Sequence, residues 1–145
     1  MMQLKRQSAV SWCVLLLLSG CGEANTLCDS LDTRTSLIKI ISDDSNNRLV
    51  NYAVENSSSV AAALNNTETE AGKLEVRENA KKGAIYRLDD TTLTNSRNRA
   101  TGAISCSGML DVTVGDTTAQ KQIDFEIERT KDGKISISVR PFLFR

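Results

Sequence analysis

The chain has 145 residues, with 18 basic and 18 acidic side chains and no histidine. That length allows one domain able to bury a core without help from metal. The missing histidine removes the commonest general base and the commonest metal ligand together. A balanced charge lacks the clustered Lys and Arg that phosphate backbones need, so no nucleic-acid partner is expected.

The chain opens Met1-Met2-Gln3-Leu4-Lys5-Arg6, followed by an apolar run from Ala9 to Leu18. A basic start and a short apolar run make the pattern of an export signal. The run is shorter than the roughly 20 apolar residues that a permanent membrane span needs. It closes on Leu18-Ser19-Gly20-Cys21, which resembles the lipobox of bacterial lipoproteins. The resemblance is confined to this N-terminal segment. It implies diacylglycerol on the Cys21 sulfur, cleavage before Cys21, and acylation of the new N-terminus. One acyl chain anchors only marginally, at ~0.8 kcal/mol per buried methylene, so stable attachment takes more than one. Position 22 is Gly rather than Asp, which resembles an outer-membrane rather than an inner-membrane address.

The resemblance divides the chain into a removed signal (1–20), a lipidated tether (21–27) and one α+β periplasmic domain (28–145). Lys5 and Arg6 leave with the signal and no acid does. The mature part is weakly acidic, with no overall electrostatic pull toward anionic lipid. Trp12, the only tryptophan, also leaves. Two Tyr and three Phe remain, so the core is mostly aliphatic.

Four cysteines are present. Cys13 leaves with the signal and Cys21 is the lipid acceptor. Cys28 and Cys106 remain. Export to an oxidising compartment makes a disulfide between them the expected outcome. The alternative, a redox or metal-binding pair, lacks a Cys-x-x-Cys spacing and any histidine. A disulfide would pin the start of the domain a few residues from the lipid.

The pattern from Asp29 to about Glu55 is helical, with Leu31, Leu37, Ile38, Ile41, Leu49, Tyr52 and Ala53 recurring at threes and fours in places. Ser42-Asp43-Asp44-Ser45-Asn46-Asn47 prefers caps and turns. It is either a break between two helices or the weak centre of one, and one interrupted helix is the preferred reading. Val60 to Leu64 predicts a short second helix, Asn65 to Gly72 a loop, and Lys73 to Lys82 a helical turn or two with Gly83 as C-cap.

From Ala84 the period changes. A first strand is predicted from Ala84 toward Thr94, with Asn95-Ser96-Arg97-Asn98 as a turn. Ile104, Cys106, Gly108, Leu110, Val112 and Val114 then alternate strictly with a more polar set. Cys106 thus shares a face with the apolar side chains, within reach of a covering helix. Gly108 leaves room there for a bulky helix residue or a ring. Gly115-Asp116 begins a turn. Ile123, Phe125 and Ile127 alternate on a third strand against Asp124, Glu126 and Glu128. Thr130-Lys131-Asp132-Gly133 is a hairpin turn with Asp-Gly chemistry. Ile135, Ile137 and Val139 alternate on a fourth strand, limited by Pro141. The expected fold class is α+β: an N-terminal helix packed on a roughly four-stranded antiparallel sheet, broadly similar in element order to cystatin-like and NTF2-like folds.

No catalytic, cofactor or metal constellation is expected. Asp43-Asp44 and Asp89-Asp90 read as solvated turns, without the spacing of a calcium loop. Asp124, Glu126 and Glu128 read as a soluble outer face opposite Lys134 and Arg140, with an acidic recognition stripe as the alternative. Phe142 and Phe144 either close the core or form a docking tail. The functional expectation is a non-enzymatic, lipid-anchored envelope protein that binds another envelope protein, as an accessory to secretion or pili or as an exclusion factor. The alternatives are a toxin-immunity or lysozyme-inhibitor lipoprotein and a carrier of a small apolar ligand.

Overall fold

Residues 27–140 are described in the computed structural model. The lipobox, Cys21 and the Phe142–Phe144 run lie outside them. Among the described residues, four helices precede five strands, so the α+β class and the helix-then-sheet order hold.

Helix α1 (Leu31–Asp43) starts at Ser30, whose hydroxyl accepts from the Thr33 amide at 3.2 Å. It buries Thr33, Leu37 and Ile41, one stripe at spacings of four. Thr33 is tolerated in the core because its hydroxyl donates to the Leu27 carbonyl at 2.8 Å and accepts from Ser30 Oγ at 2.9 Å. The same carbonyl also accepts from the Ser30 hydroxyl at 3.2 Å, so Ser30 and Thr33 together close the start of the helix.

The preferred single helix through residue 55 is two helices. Asp44 ends α1, and α2 (Arg48–Asn56) starts at Asn47. Buried Asn47 explains the break. Its Oδ1 accepts from the Leu49 and Val50 amides at 3.0 and 3.3 Å. Its Nδ2 donates to the Ile41 carbonyl at 3.2 Å. One side chain thus caps the second helix and satisfies the end of the first. Helix α2 buries Leu49, Val50, Ala53 and Val54, and it packs on the middle strands.

Helix α3 (Ser58–Asn65) is capped by Ser57. Helix α4 (Glu70–Lys82) is longer than the expected turn or two and takes in part of the expected 65–72 loop, because Thr69 caps the Gly72 amide at 3.1 Å. It buries no residue and rests on the core through half-buried Val76 and Ala80. Gly83 is its C-cap, reached at a negative φ of −83° rather than a left-handed one.

The strands are β1 (Ile85–Leu88), β2 (Leu93–Arg97), β3 (Ile104–Val114), β4 (Thr117–Arg129) and β5 (Ile135–Val139). All pairings are antiparallel. The β4 strand runs between β3 and β5, while β1 and β2 both pair with β3. The predicted first strand is therefore two pieces end to end along one edge. The break at Asp89–Thr92 is filled from the helix side. Arg34 Nη2 donates to the Leu88 and Asp89 carbonyls at 2.8 and 2.9 Å.

The predicted turn at 95–98 is strand as far as Arg97. The reversal comes later, where the Asn98 amide donates to the Ala103 carbonyl at 2.8 Å and Gly102 takes φ +74°. The expected Asp-Gly turn is present, with Gly133 at φ +81°.

Alternation along β3 is as predicted, with Ile104, Cys106, Leu110, Val112 and Val114 all buried. Their β4 partners Ile127, Phe125 and Ala119 are buried too, as is Ile123 opposite Gly108. A buried Phe or Ile contributes about 1.5–3 kcal/mol over its exposed state, so this row dominates the core. Lys121 faces Leu110 within the same row. Helix α1 touches both β1 and β5, and the sheet curls around it. No helix among the described residues is long and apolar enough to cross a membrane.

The space at Gly108 is filled from the sheet edge rather than by a helix residue or ring. A Cβ there would meet Thr92 Cγ2 at 2.9 Å and Leu88 Cδ1 at 3.2 Å.

Candidate functional site

Two of the cysteines singled out from sequence come together. Cys28 and Cys106 lie 78 positions apart, yet their sulfurs are at the bonding distance of 2.06 Å with Cα atoms 5.9 Å apart. Both are fully buried. The bond ties the residues just before α1 to the N-terminal half of β3. Cys21 lies outside the described residues.

A polar cluster surrounds that joint. Asp29 Oδ1 accepts from Arg34 Nη1 at 2.5 Å and from Thr92 Oγ1 at 2.8 Å. These bonds, with Arg34 the stronger, hold the Asp29 carboxyl below its ordinary range. Arg34 also reaches Asp90 Oδ1 at 3.2 Å. Thr94 Oγ1 lies 3.2 Å from Cys28 Sγ. Every contact here fastens α1 to the broken sheet edge, so the cluster reads as architecture. Asp89 and Asp90 belong to it, and not to a cation loop. Among the described residues, no group of three or more His, Cys, Asp or Glu side chains is placed to hold a metal.

A cleft of about 580 Å³ opens beside the joint. That falls within the range of roughly 300–1,000 Å³ common to small-ligand sites. Leu27, Ile104 and Ile127 form its apolar wall, Arg97 and Arg129 flank it, and Thr101 and Gly102 close one side.

A β-bulge places Arg97 there. Thr94 pairs with Cys106, but the next pairs are Ser96 with Ser105 and Arg97 with Ile104. Asn95 is the extra residue, and its Oδ1 accepts from Ser107 Oγ at 3.2 Å on the outer face. Without the bulge, strict alternation from Thr94 would aim Arg97 outward. With it, Arg97 shares the inner face with Ile104. Arg129 follows from β4, two residues after Ile127 on the same face. The side chains of Arg97, Arg99 and Arg129 make no hydrogen bond or ion pair with any described residue.

Sequence reading missed this cleft because it placed Arg97 in a turn. A bulge leaves no periodic signal. The one hint was Asn95, a residue that competes for local hydrogen bonds.

The opposite end of the sheet carries a second polar cluster. Asp116, at the β3–β4 turn, accepts from Ser57 Oγ at 2.7 Å, from Ser58 Oγ, and from the Ser59 amide at 3.1 Å. Ser58, then Ser57, then the Ser59 amide hold its carboxyl well below the usual carboxylate range. Gly115 takes φ +57°, and a Cβ there would run into the Ser57 and Ser59 hydroxyls. The turn is thereby docked on the N-terminus of α3, where a carboxylate is favoured.

On the outer face, Glu126 pairs with Arg140 at 3.5 Å as the sequence suggested. Lys134 turns to Asp132 at 3.3 Å in its own hairpin instead. No family model, no curated protein and no solved structure matches this chain.

Proposed function

We propose that this is a lipid-anchored, non-enzymatic protein of the bacterial cell envelope whose domain binds another envelope protein. The observation that carries the reading is the lipobox Leu18-Ser19-Gly20-Cys21 behind a basic start and a short apolar run. The Cys28–Cys106 bond supports it, since such bonds persist in exported proteins and are rare in the cytosol. Under this reading the lipid confines the domain to a surface and raises its effective concentration there. The face it presents is the polar outer sheet, where Asp124 and Glu128 stay exposed beside the Glu126–Arg140 pair. The outer membrane is the favoured address, on the Gly22 position alone.

The test is cross-linking in intact cells, followed by purification from detergent-solubilised envelopes. One stoichiometric protein partner, lost with Cys21→Ser, is the expected result. A cell-wall hydrolase or toxin as that partner would favour the inhibitor or immunity reading. Recovery with a bound apolar molecule and no protein would favour the carrier. Recovery of full-length protein from the cytosol would overturn all three.

A further inference from the structure

We propose that the cleft at the Cys28 end takes the phosphate of a lipid headgroup from the membrane in which the protein is anchored, with Arg97 and Arg129 donating to its oxygens. The proposal rests on the lipid-anchor reading and adds an orientation to it: this end of the sheet faces the bilayer.

Three observations support it. The first is charge. Two arginines flank one cleft, and neither has an intramolecular partner among the described residues. A guanidinium offers a planar fork of N–H donors that matches a phosphate. The two adjoining turns add Arg99 and Lys131, while the Asp132 carboxylate accepts from Thr130 and pairs with Lys134. The end is locally cationic although the chain as a whole is not.

The second observation is the apolar wall of Leu27, Ile104 and Ile127 beneath those charges. An inorganic anion gains nothing from it. The glyceryl and first acyl carbons of a phospholipid do.

The third is distance. Leu27 both lines the cleft and lies six positions after Cys21. Six residues reach at most about 20 Å when fully extended. The Cys28–Cys106 bond fastens that point to β3, so the cleft stays within one short span of the acylated residue. Surface attraction to anionic lipid fades within a Debye length, about 8 Å at physiological salt, so the two arginines act where the short tether lets this end settle against the bilayer, and not at the tether's full reach.

The experiment titrates the mature Cys21→Ser chain with dihexanoylphosphatidylglycerol below its micelle concentration, and separately with inorganic phosphate, while amide resonances are recorded. Lipid is expected to shift amides at 97–104 and 127–129 with saturation. Phosphate alone is expected to bind far more weakly. Each arginine replaced in Arg97→Gln and Arg129→Gln weakens the lipid response about fivefold. Amides of α2 and of β3 near Val112 report that the variants keep the fold. A readout without variants is salt: about 0.5 M should abolish most of the shift. Equal saturation by inorganic phosphate overturns the headgroup assignment. A lipid response elsewhere on the domain, or one unchanged in the double variant, overturns the site. Acylation plays no part in this titration, so failure of the cleft and failure of the anchor are separate results.

Discussion

The two ends of the sheet are built to opposite rules. At the hairpin end the polar groups of the turn are consumed by the fold: the Asp116 carboxylate takes three donors from Ser57–Ser59, and Thr117 Oγ1 donates to the Asn56 carbonyl at 3.1 Å. At the Cys28 end one cluster is closed in the same way, through Asp29, Arg34 and Thr92. Beside it stand two arginines with no partner among the described residues, over an apolar wall. Satisfied charges serve stability. Unsatisfied ones, brought to a cleft by a bulge at Arg97 and by plain alternation at Arg129, have their use outside the chain. Net charge and composition average the two ends and hide the difference.

The comparison breaks first at the disulfide. Replacing Cys28 and Cys106 together by Ser frees a loop spanning 78 positions. The chain-entropy treatment gives a loss of about 4.5 kcal/mol, read as a fall in the urea midpoint with a rise in slope, because the freed unfolded chain exposes more surface. A loss that small substitutions elsewhere could match would mean that the bond is not what holds α1 to β3.

Next is the hairpin end. Gly115→Ala forces a left-handed residue against two hydroxyls, with an expected cost of about 1–2 kcal/mol in the same assay. The acid response is shared by the two ends, through one carboxylate in each closed cluster. Asp116 and Asp29 both titrate lower in the folded chain than in the unfolded one. Their stabilisation is therefore fully present above the unfolded carboxylate value of about 3.9 and is lost as pH falls below it. Urea midpoints at neutral and acid pH should diverge in the wild type and converge partly in Asp116→Asn.

The smallest effect is expected at the cleft. Arg97→Gln and Arg129→Gln remove no bond to any described residue, so stability should stay within about 0.5 kcal/mol of wild type. A larger loss would assign the pair to the fold and erase the contrast between the ends.

How much of this was legible in the sequence follows from which signals are periodic. The alternation is strict along β3 and from Ile123 to Ile127 of β4, and both are as predicted, including the inward direction of Cys106. Asp132-Gly133 marked its turn because only Gly takes positive φ without strain. The α1–α2 break was one of two open readings. It was decided by Asn47, whose capping and back-bonding need tertiary placement to be seen. The split of the first strand and the Asn95 bulge were not legible. Both depend on partners distant in sequence, Arg34 in the first case and the β3 register in the second. The cleft inherits that invisibility, because its second arginine arrives only through the bulge. The cysteine pairing needed no geometry, only the elimination that the lipobox resemblance allows.

Intact-mass spectrometry of the protein purified from membranes tests the account most directly. The predicted species begins at Cys21, carries three acyl chains, and gains two hydrogens on reduction as Cys28 and Cys106 separate. An unmodified chain beginning at Met1, or a membrane form with both thiols free, would contradict it.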